Sequence, residues 1–232
     1  MLSQFSSSYN LGRKTSYNPP PPPADPYTRF QFSISGSNYT GTPSQYPITF
    51  NPSNQNDTYG NITNIDLNLW RNQAFTIYVK GKFNNSASLQ NLIYLGNSSF
   101  TNSTDFISIT HRGSASALHI AFGYRDPGTT SITGNSISML ASSSHFIHTF
   151  VCFDGTQIQY YFYSSITGNL IYSSVASNYP SSTMMNAFTT FTMGHNINNI
   201  SNCGNITIDE AGWYNTRKTT TEMSAIVASN LN

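Results

Sequence analysis

Phe146-Ile147-His148-Thr149-Phe150-Val151-Cys152-Phe153-Asp154-Gly155-Thr156-Gln157-Ile158-Gln159-Tyr160-Tyr161-Phe162 decides the fold class. Apolar residues alternate on both sides of Asp154-Gly155, and that dipeptide accepts positive φ angles. The stretch therefore reads as two strands joined by a tight hairpin turn. A second stretch, Ile206-Thr207-Ile208-Asp209-Glu210-Ala211-Gly212-Trp213-Tyr214-Asn215, reads as a closing strand. It leads into Thr219-Thr220-Thr221-Glu222-Met223-Ser224-Ala225-Ile226, a short helix. Thr219 and Glu222 have the spacing of a capping box, and Met223, Ile226 and Val227 give an i, i+3, i+4 apolar face. The helix is expected to cover an edge of the β structure.

Outward from these stretches the period stays at two. Phe30, Phe32 and Ile34 alternate with polar residues, as do Ile65, Leu67 and Leu69 before Trp70. Phe75, Ile77 and Val79 face one way, and Thr76, Tyr78 and Lys80 the other. Further strands are predicted at 92–95, 106–110, 118–124, 170–175, 188–193 and 206–214. Between Ile34 and Ile65 the sequence is rich in turn formers, with Gly41-Thr42-Pro43 and Asn51-Pro52-Ser53-Asn54. Short strands separated by Gly, Asn, Ser and Pro give an all-β, two-sheet antiparallel jelly-roll sandwich over residues 29–232. Residues 1–28 form a separate Pro-rich arm. Consecutive prolines lock φ and lack donors, so this segment is expected to run extended. It reads as a stiff spacer, or as an arm laid on a neighbouring subunit through Phe5, Leu11, Tyr17, Pro19 and Pro23.

The chain has 232 residues and a net charge of +1, and only 8% of its residues are charged. Without a basic stripe, nucleic acid is not an expected partner. Asn, Ser and Thr break every apolar run well short of a spanning helix, so no membrane insertion is expected. Aromatics at 14% argue against disorder. Cys152 and Cys203 read as reduced, buried thiols rather than a disulfide framework. The first residues lack the charged and apolar regions of a secretory signal, which fits synthesis in the cytoplasm.

Three features in this order resemble the laminin-G-like branch of the concanavalin A-like lectin and glucanase superfamily. They are Ala74-Phe75-Thr76-Ile77-Tyr78-Val79-Lys80, the hairpin from Phe146 to Thr156, and Ile208-Asp209-Glu210 followed by an aromatic, an Asn and a helix. The likeness covers about residues 60 to 228 and implies two packed antiparallel sheets. It departs at Ile147, where the usual pair has its first His, and at the longer loop from Tyr163 to Asn169.

Glucanases of that superfamily need paired carboxylates on one strand face. Asp209 and Glu210 are adjacent and are expected to point to opposite faces, and Glu222 is taken as a cap, so no enzyme is expected. Asp209 is assigned a structural bond to a backbone amide at the sandwich edge, and Asp154 is the first turn residue. Asp105, Asp126 and Asp154 lie near loops, but no ligand cluster supports calcium, and no cofactor is expected. His111, His119, His145, His148 and His195 show no metal spacing and no nucleophile partner. Trp213 is read as core.

Sugar recognition uses aromatic faces beside amides and hydroxyls. The loop candidates are Tyr124, Arg125 and Asp126; Asn97 and Asn102; and His195, Asn196 and Asn198. Two functions are expected from these observations. One is a non-enzymatic structural or display protein of a larger assembly, such as a virion capsid surface, tethered through the arm to other structural proteins or to copies of itself. The other is a carbohydrate-binding or adhesion module recognising cell-surface glycans.

Overall fold

A computed structural model describes residues 26–51, 58–67, 73–84, 90–96, 106–114, 117–124, 133–139, 145–155, 157–176, 188–194 and 205–230. The first strands are β1 (Thr28–Arg29), β2 (Phe32–Ser35), β3 (Tyr39–Thr40), β4 (Ile48–Phe50), β5 (Tyr59–Ile62) and β6 (Phe75–Phe83). They continue as β7 (Gln90–Gly96), β8 (Phe106–Ser114), β9 (Ala117–Tyr124), β10 (Thr133–Met139), β11 (Ile147–Phe153) and β12 (Ile158–Ser164). Then come β13 (Leu170–Ala176), β14 (Thr190–Met193), β15 (Ile206–Tyr214) and, among the described residues, one helix, α1 (Thr220–Ser229).

Every strand pair among the described residues is antiparallel. One sheet has eight strands in the order β13-β12-β11-β6-β15-β4-β3, with β1 also paired to β15. The second has seven, in the order β10-β9-β8-β7-β14-β5-β2. This is the expected two-sheet sandwich with a C-terminal helix. The alternation read from the sequence fills its middle. Phe75, Ile77 and Val79 of β6 meet Val151 and Phe153 of β11, and Ile93 and Leu95 of β7, in one buried cluster. Each such side chain contributes about 1.5–3 kcal/mol by leaving water. Trp213 lies partly buried against the same cluster.

Three local expectations differ from the structure. The turn-rich stretch contains β3 and β4, which are too short for a period to show between Gly and Pro. Ile65 and Leu67 are not in a strand; they pack on the core from a turn. The reason is Asn64, whose side chain accepts from Gln31 N at 2.8 Å and donates to Arg29 O at 2.8 Å, replacing the ladder that ends with β5. The Asp154-Gly155 connection occupies residues 154–157 between β11 and β12, and Gly155 has positive φ (97°). Asp154 Oδ1 accepts the Gln157 N–H at 2.7 Å and so holds the turn.

Residues 1–25 lie outside the described residues, and with them Phe5, Leu11, Tyr17, Pro19 and Pro23. The first described residues are already engaged: β1 pairs Thr28 with Trp213 and Arg29 with Gly212. Gly212 is required there, because a Cβ would run into the Tyr27 ring and the Thr28 carbonyl. No helix among the described residues is long and apolar enough to cross a membrane.

Candidate functional site

The outward side of the eight-stranded sheet carries the chemistry. Even-numbered residues of β6 and β11 face this way, and α1 lies across them. Tyr78, Phe150, Cys152, Tyr163 and Tyr214 form a second buried cluster with Met223 and Val227 of α1. The helix thus covers a sheet face, not an edge as the sequence suggested. A face with four aromatic rings gives its apolar stripe more to bury than an edge strand could. The capping box is present: Glu222 N donates to Thr219 Oγ1, and the Thr219 N–H donates to Glu222 at 2.8 Å. That backbone bond, first among the causes, holds the Glu222 carboxyl below its usual range.

Beneath the C-terminal end of α1 is a buried polar group. Lys80 Nζ donates to the carbonyl of Asn230 at 3.0 Å and pairs with Asp209 at 2.8 Å. His148, fully buried, has its Nδ1 hydrogen-bonded to the Tyr78 hydroxyl at 2.8 Å. Burial, and then the nearby Lys80 ammonium, lower the His148 pKa to about 4, so the ring is neutral at pH 7. Burial pushes the Cys152 thiol up to about 11, which makes it an inert core residue.

β15 corrects the expectation for Asp209 and Glu210. The ladder to β6 shifts register between Ile208 and Glu210. Ile208 and Ala211 both enter the inner core, so the two residues between them share the outer face. Asp209 takes Lys80 rather than a backbone amide, and it lies inside the sheet rather than at its edge. Glu210 is held by the Tyr27 hydroxyl at 2.7 Å and by Arg29 through Nε at 2.9 Å and Nη2 at 2.6 Å. Burial and the neighbouring Glu210 raise the Tyr27 hydroxyl far above its ordinary value. Asp209 is committed to Lys80 and Glu210 to Arg29. No group of three or more metal-ligating side chains occurs among the described residues.

At the other end of α1 a hollow of about 340 Å³ opens between β12 and the start of the helix. Tyr161, Arg217, Lys218, Thr219 and Thr220 line it. Arg217 leaves the end of β15 and is clamped from one side. Its guanidinium donates to Gln159 Oε1 at 2.6 Å and to Asp154 at 3.3 Å, and the Tyr161 hydroxyl donates to the same Gln159 oxygen at 2.6 Å. The Arg217 side chain remains 41% exposed. Among the described residues, two of its five N–H donors are used. Lys218 is nearly buried, with its ammonium over the Tyr214 ring at 4.6 Å.

The loop candidates fall mostly outside the described residues. Arg125, Asp126, Asn97, Asn102, His195, Asn196 and Asn198 lie outside the described residues, and Tyr124 is placed only as the last residue of β9. Of the described residues that the sequence singled out, Asp154 serves as turn former and as anchor for Arg217, and the capping Thr219 lines the hollow. Arg217 and Lys218 were missed. In a chain with 8% charged residues, an adjacent Arg-Lys pair directly before a capping box was the available signal.

No protein-family profile and no curated protein sequence matches this chain. Solved structures do. A structure of botulinum neurotoxin type C, whose entry into cells depends on interaction with two ganglioside molecules, aligns with TM-score 0.60 at 14% identity, over 88% of this chain and 47% of that one. The binding domain of botulinum neurotoxin DC, solved with rat synaptotagmin II, aligns with TM-score 0.61 at 14% identity, over 86% and 46%. The CBM40 of Ruminococcus gnavus IT-sialidase aligns with TM-score 0.51 at 13% identity, over 69% and 85%. The chain spans about half the length of the toxin chains it matches. These likenesses show a β-sandwich fold, and they do not single out the laminin-G branch.

Proposed function

We propose that this chain is a non-catalytic glycan-binding module, with the hollow beside Tyr161 and Arg217 as its contact surface. The observation that carries the reading is the Arg217 guanidinium, fixed by Gln159 and Asp154 next to an aromatic ring and two threonine hydroxyls. A pyranose presents C–H patches and many hydroxyls, which suit a tyrosine face and a ring of donors and acceptors. A guanidinium with donors unused among the described residues adds a preference for an acidic sugar. Binding domains among the solved structures of similar fold support the same reading. Membership of the laminin-G-like branch, and display on a larger particle such as a virion through residues 1–28, are carried forward as parts of this proposal. A display protein of that kind would present the sandwich to cell-surface glycans.

The test is a glycan array with the full chain, with and without calcium. Binding should weaken about tenfold or more for Arg217→Lys, because a lost charged hydrogen bond costs roughly 1.5–3 kcal/mol. Tyr161→Ala should weaken it further. A blank array in both conditions, or binding indifferent to Arg217, defeats the reading.

A further inference from the structure

A single amide oxygen organises the hollow. Ile158, Tyr160 and Phe162 of β12 enter the core, so Gln159 and Tyr161 stand in line on the outer face. Gln159 Oε1 accepts from Arg217 Nη2 at 2.6 Å and from the Tyr161 hydroxyl at 2.6 Å. It thereby draws together a guanidinium from beyond the end of β15 and a phenol from β12. The second anchor of Arg217 is looser, at 3.3 Å from Nη1 to Asp154, whose other oxygen already holds the Gln157 N–H at 2.7 Å. The kind of acceptor matters as much as its place. An amide oxygen fixes a guanidinium without neutralising it, whereas a carboxylate there would offset the charge that a ligand meets. Glu222, close by in sequence, is taken up by the Thr219 N–H at 2.8 Å and by Lys218 at 3.5 Å. Arg217, 41% exposed, therefore presents a cation whose shortest bond goes to a neutral group.

We infer that Gln159 is the positioning residue that makes the hollow select sugars bearing an anionic group, a carboxylate or a sulfate. The inference rests on the glycan-binding reading of this site and names what sets its selectivity. Gln159 acts through its two partners. It holds the Arg217 fork beside Tyr161, so that the acid group and the sugar ring carrying it are met together. Because its own oxygen is uncharged, the guanidinium keeps its attraction for the ligand. Replacing the amide by an isosteric carboxylate preserves both hydrogen bonds and changes only the charge beneath Arg217. That substitution separates selectivity from shape.

The probes are glycans with carboxylated or sulfated termini, each arrayed beside its methyl-esterified or desulfated counterpart and read with the full chain. The chain should bind the anionic members about tenfold or more tightly than their neutral counterparts. The carboxylated and sulfated arms tell which acid is preferred. Gln159→Glu should remove about tenfold of anionic binding and shift neutral binding by less than about twofold, with circular dichroism unchanged. Asp154→Asn, which keeps the turn acceptor and removes its charge, should move the preference the other way and strengthen anionic binding. This second variant decides the matter if Gln159→Glu fails to fold. Equal losses of anionic and neutral binding in Gln159→Glu, or no loss, overturn the inference and leave the glycan-binding reading intact. So does a chain that binds through Arg217 with no anionic preference, or an Asp154→Asn chain with unchanged or weaker anionic binding. A blank array defeats the reading and the inference together.

Discussion

The eight-stranded sheet is finished in two different ways. Around β6 and β15 its outer surface is clamped: α1 lies on it, Lys80 ties Asp209 to the helix end, and Arg29 and Tyr27 hold Glu210. At β13 there is no charge, and exposed apolar side chains stand at the turn. Charged side chains hold the first region together, and the strand of the second carries none.

Acid should break the clamped region most strongly. His148 is neutral when folded, with a pKa near 4, against an ordinary value of 6.5. Below pH 6.5 the unfolded chain takes up a proton that the folded chain refuses, so stability falls as pH drops from 6.5 towards 4 and is unaffected above that window. The loss amounts to on the order of 3 kcal/mol. Urea midpoints measured between pH 7 and pH 4 should show it, and His148→Gln should flatten the slope. Lys80→Met comes next. It keeps the aliphatic stem but leaves Asp209 and the Asn230 carbonyl without their cation. Because Asp209 is 30% exposed and water can reach it, the expected cost is about 2 kcal/mol, below that of a fully buried pair. A midpoint equal to that of the parent chain would show that the clamp contributes nothing. The smallest effect belongs to the bare margin. Ile171→Ser should change monomer stability by less than about 0.5 kcal/mol in thermal unfolding. A loss comparable to that of Lys80→Met would erase the contrast between the two regions.

The same contrast governs what could be read from the chain. Strands such as β6, β11 and β12 were legible because one face of each is apolar at every second residue. The cap of α1 was legible because Thr219 and Glu222 bond locally. β10, written Thr-Gly-Asn-Ser-Ile-Ser-Met, was not, since its Gly and Asn oppose strand propensity and only its pairing with β9 organises it. The bulge at Asp209 was equally hidden. Alternation predicts opposite faces, and the extra residue becomes evident only when β6 lies alongside. Arg217 lies 58 residues from Gln159 and 63 from Asp154, so their convergence is a property of topology.

The contact between Lys80 and the carbonyl of Asn230 spans 150 residues of chain. α1 has no basic residue in its last turn, so the positive charge that its C-terminal dipole calls for is borrowed from the sheet. A ten-residue helix is too short to persist by itself in water. It becomes complete only once β6 and β15 are side by side with Lys80 in position. The amide protons of α1 should therefore exchange with solvent in step with those of the strands beneath it, which makes the last helix of the chain a reporter on whether its oldest neighbours in sequence have already assembled.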